Sequence, residues 1–136
     1  MVGGGPKSQG LSTERLSGGH VGGHGGDDGH GGVGAHDGAW ESALPMRSMR
    51  VAASAVVQPN GSILVLGGKD VETGCGLSTS EVLTGGVWKV GPPLTAPRSY
   101  ACAIAVGDVV WLCGGYDSMF AASSSVRFIS CQPKPR

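Results

Sequence analysis

Four short apolar runs set the rhythm of the chain beyond its first third: VAASAVV from Val51, SILVLGG from Ser62, ACAIAV from Ala101 and VVWLCGG from Val109. Each has strand length, is built of small and β-branched residues, and lacks strict apolar/polar alternation. That pattern predicts strands covered on both faces. Turn residues split the runs into pairs, Asn60-Gly61 in the first and Gly107-Asp108 in the second, which predicts two tight hairpins. Counting inward from Gly107-Asp108 as a two-residue turn opposes Val106 to Val109, Ala105 to Val110, Ile104 to Trp111, Ala103 to Leu112 and Cys102 to Cys113. Ser54 and Leu66 stand at the cysteines' places in the first hairpin, so the architecture requires no bridge there. The simpler reading of Cys102 and Cys113 is a pair of reduced, buried thiols acting as small hydrophobes.

The two hairpins belong to a longer repeat. WESALPMRSMRVAASAVVQPNGSILVLGGKD begins at Trp40, and WKVGPPLTAPRSYACAIAVGDVVWLCGGYD begins at Trp88. Each has Trp, then Pro five residues on, Arg five further, a small-residue strand, a turn, an apolar strand, Gly-Gly and Asp. The spacing is 48 residues between the tryptophans and 47 between Gly67 and Gly114, and one extra residue in the first turn accounts for the difference. A self-match at this period points to a propeller or solenoid. With the serine-rich S-E-V-L and S-V-R-F strands that follow, the pattern resembles the kelch repeat over residues 40–136.

The resemblance implies an all-β fold in which each repeat is one four-stranded blade of a β-propeller. On it, residues 40–87 and 88–136 form two blades, the second incomplete at its C-terminus. Trp40 and Trp88 are expected to fill the wedge between blades, and Arg50 and Arg98 to tie loops to backbone carbonyls through a forked donor. GLSTERL at residues 10–16 echoes GLSTSEVL at 76–83, so residues 1–16 read as the end of a preceding blade. Closed propellers use about four to eight blades. The chain is therefore expected to be a fragment of a larger propeller, completed by further blades in cis or by oligomerisation.

Composition changes the picture between residues 17 and 39. SGGHVGGHGGDDGHGGVGAHDG is nearly all Gly, His and Asp, which predicts a low-complexity, disordered insert. Its His20, His24, His30 and His36, with Asp27, Asp28 and Asp37, are ligand types for zinc, nickel or copper. A glycine chain supplies nothing to orient them, so the reading is a linker and no metal or other cofactor is assigned. Ten basic and ten acidic residues give a net charge of zero, with no basic run, which argues against nucleic acid and anionic membrane as partners. No apolar run approaches the ~18–20 residues of a transmembrane helix. The N-terminal residues lack an apolar signal segment, so the cytoplasm is the favoured compartment. None of the four cysteines forms a C-x2-C pair, which disfavours a zinc site. Asn60-Gly61-Ser62 fits a glycosylation sequon but reads more simply as the turn itself.

No catalytic set emerges. Galactose-oxidase-like propellers hold copper with tyrosines and histidines beside a cysteine, yet this chain has no histidine after His36 and only Tyr100 and Tyr116. The expectation is a non-enzymatic protein-interaction module, of the ubiquitin-ligase adaptor or actin-associated type. The alternative is part of a copper or carbohydrate-active propeller enzyme whose catalytic residues lie on other blades. Interacting kelch propellers present one face built by the loops after Gly-Gly and by the entry to the first strand. The matching positions here are Lys69, Asp70, Tyr100, Tyr116, Asp117, Met119 and Phe120. Aromatic and Met side chains suit a protein anchor; Met119 and Phe120 folding back over the blade edge is the other reading.

Overall fold

In the computed structural model, residues 13–17 and 39–130 are described, and among them every regular element is a strand. In chain order these are β1 (Thr13–Ser17), β2 (Ala39–Ala43), β3 (Arg50–Val51), β4 (Ser54–Val57), β5 (Ile63–Leu66), β6 (Lys69–Asp70), β7 (Ser80–Thr84), β8 (Val87–Val90), β9 (Cys102–Val106), β10 (Val109–Cys113) and β11 (Val126–Ser130). The fold is all-β, with antiparallel pairing throughout. Residues 1–12, residues 18–38 with all four histidines, and Cys131 lie outside the described residues.

The first main sheet has the order β4-β5-β7-β8, and the second has the order β9-β10-β11. Their hairpins repeat the same register. Ser54 opposes Leu66 in the first sheet, and Cys102 opposes Cys113 in the second, matching the pairing counted from Gly107-Asp108 residue for residue. β1 and β2 form a separate pair in which Leu16 opposes Trp40, as Leu83 opposes Trp88 in β7-β8.

The hairpin turns differ in kind. Gly107 has φ +55° while Asp108 does not take a positive φ, the sign pattern of a two-residue turn with Gly in its first central position. The first hairpin is instead a three-residue loop. The Gln58 N–H donates to the Ser62 carbonyl at 2.8 Å, the Gly61 N–H donates to the Gln58 carbonyl at 2.9 Å, and only Gly61 is left-handed. Pro59 presets the turn and the Asn60 carboxamide oxygen caps Ser62 N at 3.0 Å, so Asn60-Gly61 is not a two-residue turn.

The core lies between the two main sheets. Leu64 and Leu66 of β5 meet Val110 and Leu112 of β10, with Val56, Val82, Ala101, Ala103, Ala105 and Ile129 around them. β4 lies against β9, and the Ser54 hydroxyl donates to the Ala101 carbonyl at 2.6 Å across the gap. Two expectations need correction. Trp88 is buried (9% exposed) and its indole N–H donates to the Leu44 carbonyl at 2.9 Å, but Trp40 is 67% exposed, because no described residues pack over β1-β2 as the segment after β2 packs over Trp88. Cys102 is exposed and Cys113 only half-buried; both are free thiols on the uncovered side of the second sheet.

Candidate functional site

The Gly-Gly pairs fix how two successive loops approach each other. The segment from Arg98 to Ala101 runs between them. A Cβ on Gly67 would overlap the Arg98 carbonyl, and one on Gly115 would overlap the Ser99 carbonyl. The glycines also adopt φ values of +63° (Gly67) and +86° (Gly115), so both their size and their conformation are needed. Gly68 N–H donates to the Arg98 carbonyl at 2.7 Å, and Tyr100 N–H donates to the Ala52 carbonyl at 2.9 Å. Ser99 and Tyr116 exchange both backbone hydrogen bonds, at 2.8 and 2.9 Å. The second repeat's entry segment is thereby laced to the first repeat's loop and to its own.

The two arginines anchor this arrangement from below, as expected of forked donors. Arg50 donates to the Gly67 and Thr79 carbonyls at 2.8 and 3.0 Å, and Arg98 donates to the Gly114 carbonyl at 3.1 Å and the Ser125 hydroxyl at 2.8 Å. Each guanidinium therefore holds the carbonyl of the first glycine of its own pair.

Four of the seven sequence-selected residues come together above these loops. The Lys69 ammonium lies 3.3 Å from the Phe120 ring centroid and 5.3 Å from that of Tyr100, inside the range of a cation–π contact. Tyr100 and Tyr116 meet edge to face, with centroids 6.1 Å apart and planes at 89°. Lys69 is only 8% exposed and forms no ion pair with a described residue, while the three rings keep much of their surface open. Tyr100 (φ +55°) and Phe120 (φ +60°) are both left-handed, a costly conformation for large side chains, on the order of 1–3 kcal/mol each. A third left-handed non-glycine residue, Ala52 (φ +54°), lies outside the cluster, two residues after Arg50 as Tyr100 is two residues after Arg98, so the conformation at Tyr100 belongs to the repeat and that at Phe120 does not.

Asp70 and Asp117 have a different role from the one their positions suggest. The Asp70 Oδ1 accepts from Thr73 N at 2.8 Å, Thr73 Oγ1 at 2.9 Å and Glu72 N at 3.1 Å. The Asp117 Oδ1 accepts from Met119 N and Ala121 N, both at 2.9 Å. Each carboxylate two residues past Gly-Gly thus shapes its own loop. The Thr73 N–H and hydroxyl hold the Asp70 carboxyl below its ordinary value of 3.8, against a smaller opposing effect of desolvation. Met119 stands apart at 85% exposed, and the Phe120 ring lies against the Lys69 ammonium while staying 64% exposed.

One element of the arrangement had no place in the sequence reading. Glu81, 3% exposed, pairs with Arg50 at 2.9 Å and accepts from Arg47 N at 2.7 Å and Ser48 N at 3.0 Å. The shared Glu in STERL and STSEVL was the available signal. Together with Thr79, Ser80 and Val90 these residues line a small pocket in which the Arg50 and Glu81 charges bond to each other. Among the described residues no group of three or more His, Cys, Asp or Glu side chains stands close enough to hold a metal ion. The histidine-rich insert lies outside them.

No protein-family model matches the chain, and no curated protein sequence does. The fold does recur: 115 chains of solved structure match it. One is the structure of YjhT, similar over 68% of this chain with a TM-score of 0.60 at 14% identity. That likeness concerns the fold. The match spans only 32% of the YjhT chain, about a third of its length.

Proposed function

We propose that the chain is a segment of a kelch-type β-propeller that acts as a non-enzymatic protein-interaction module, using the loop edge around Tyr100 as its contact surface. A four-stranded and a three-stranded sheet in one register, with Gly-Gly exits and arginine-tied loops, support the propeller reading. The observation that carries the functional reading is the convergence of Lys69, Tyr100, Tyr116 and Phe120 from successive repeats onto one exposed edge. Of these residues Phe120 is held in a left-handed backbone that has no counterpart in the repeat, and such strain is found where a surface is pre-organised. Rigid, solvent-facing aromatics lose little side-chain freedom on binding, which suits a protein anchor. Met119 extends the same edge. Further sheets complete the ring in this reading, from the same chain or another.

Quantitative affinity capture compares the intact chain with Tyr100→Ala/Phe120→Ala and with Val90→Ser, which alters a remote exposed site on β8. The reading expects proteins retained by the intact chain and the Val90 variant to be lost at least tenfold from the double variant. Equal retention by all three would overturn it.

A further inference from the structure

The two sheets are related by register, so each face of one has a counterpart on the other. Leu66 corresponds to Cys113, because each directly precedes its Gly-Gly pair. Pairing then equates Leu64 with Trp111, Val56 with Ile104, Ser54 with Cys102 and Val82 with Phe128. The first member of each equation belongs to the side of the first sheet that is buried against the second. The second members form the outer side of the second sheet, and there Ile104, Trp111 and Phe128 are exposed in one cross-strand row, with Trp111 and Phe128 ring centroids 5.4 Å apart.

The complementary side is present too. Ala103, Ala105 and Val110, which receive the first sheet, correspond to Ala55, Val57 and Ile63. On the first sheet's other side Ala55 and Val57 are exposed and Ile63 is half-buried, while Val65, the counterpart of Leu112, is buried. Among the described residues one molecule therefore carries counterparts of both halves of an interface that it already builds once internally, the first open along Ile104, Trp111 and Phe128 and the second open along Ala55 and Val57.

We propose that the Ile104–Trp111–Phe128 face of one molecule seats the Ala55–Val57–Ile63 face of a second copy, β9-β10 against β4-β5, head to tail. Such a contact is heterologous: the two surfaces differ, so a pair keeps one free face of each kind, one on each copy. The inference rests on the propeller reading, of which it names one source of the further sheets, but it does not involve the Tyr100 edge, so its failure leaves the proposed contact surface untouched.

Two one-sided variants of the full chain test it by size-exclusion chromatography with light scattering. Trp111→Lys disables only the first face, and Val57→Glu only the second. At high micromolar concentration the intact chain is expected to run as a dimer or larger, each variant alone as a monomer, and their equimolar mixture as a dimer and no larger. Circular dichroism melts monitor folding; should Trp111→Lys unfold, Phe128→Lys, more exposed on the adjacent strand, replaces it. A monomeric intact chain, a variant that alone associates like the intact chain, or a mixture that stays monomeric would each overturn the proposal.

Discussion

The Arg50 guanidinium and the Glu81 carboxylate meet at 2.9 Å with their side chains 1% and 3% exposed, joining β3 to β7, the third strand of the four-stranded sheet. The pair is embedded. Glu81 also accepts two backbone N–H groups from the segment that crosses from β2, while Arg50 reaches the carbonyls of Gly67 and Thr79. One buried ion pair thus holds the crossing segment, the Gly-Gly exit and the third strand together.

Removing one partner leaves the other charge buried and uncompensated. Glu81→Ala is expected to destabilise the chain by ~3–5 kcal/mol, read as a lowered midpoint in urea unfolding. A loss below ~1 kcal/mol would mean the pair is no more than a surface contact.

The glycines provide a controlled contrast. Gly61 has φ +79° with nothing within 4 Å of an added Cβ, whereas the same Cβ at Gly67 overlaps the Arg98 carbonyl. Gly61→Ala should cost only the left-handed backbone penalty, roughly 1–2 kcal/mol. Gly67→Ala must also displace the entry segment of the next repeat, for a total of about 3 kcal/mol or more. Equal losses in the two variants would contradict the close approach of the loops.

Much of this was legible in the chain itself, and the exceptions have identifiable physical causes. The Cys102–Cys113 register followed from one turn, because a two-residue hairpin leaves no freedom in the pairing. Matching the serines of S-E-V-L and S-V-R-F misled by one residue. Pairing sets Ser80 opposite Leu66 but Val126 opposite Cys113, so Thr79 corresponds to Ser125 and Glu81 to Arg127. That is why the Arg50–Glu81 pair has no copy in the second repeat. Trp40 and Trp88 look alike in sequence, and only the packing of neighbours separates them. Lys69 was selected for its loop position, but its place between the rings of Tyr100 and Phe120 depends on residues 31 and 51 positions further along the chain.

Acid should loosen one loop before it unfolds the sheets. Asp70 is held below its ordinary value by the Thr73 N–H and hydroxyl, so its folded-state value is lower than its unfolded one. Its contribution is complete above 3.8 and is lost as pH falls below 3.8 through the folded value. Amide exchange at Glu72 and Thr73, referenced to the intrinsic rate at each pH, should lose protection in that window. Asp70→Asn should remove the pH dependence; unchanged dependence would assign it to another group.

The central claim is that the edge around Tyr100 is where a protein partner is contacted. A photo-crosslinking benzophenone side chain at Met119, which is exposed on that edge, compared with the same group at Val90 on β8, tests it most directly. Defined protein adducts from position 119 and none from position 90, suppressed by Tyr100→Ala, are the predicted result. Adducts equal at both positions, or unaffected by Tyr100→Ala, would contradict the account.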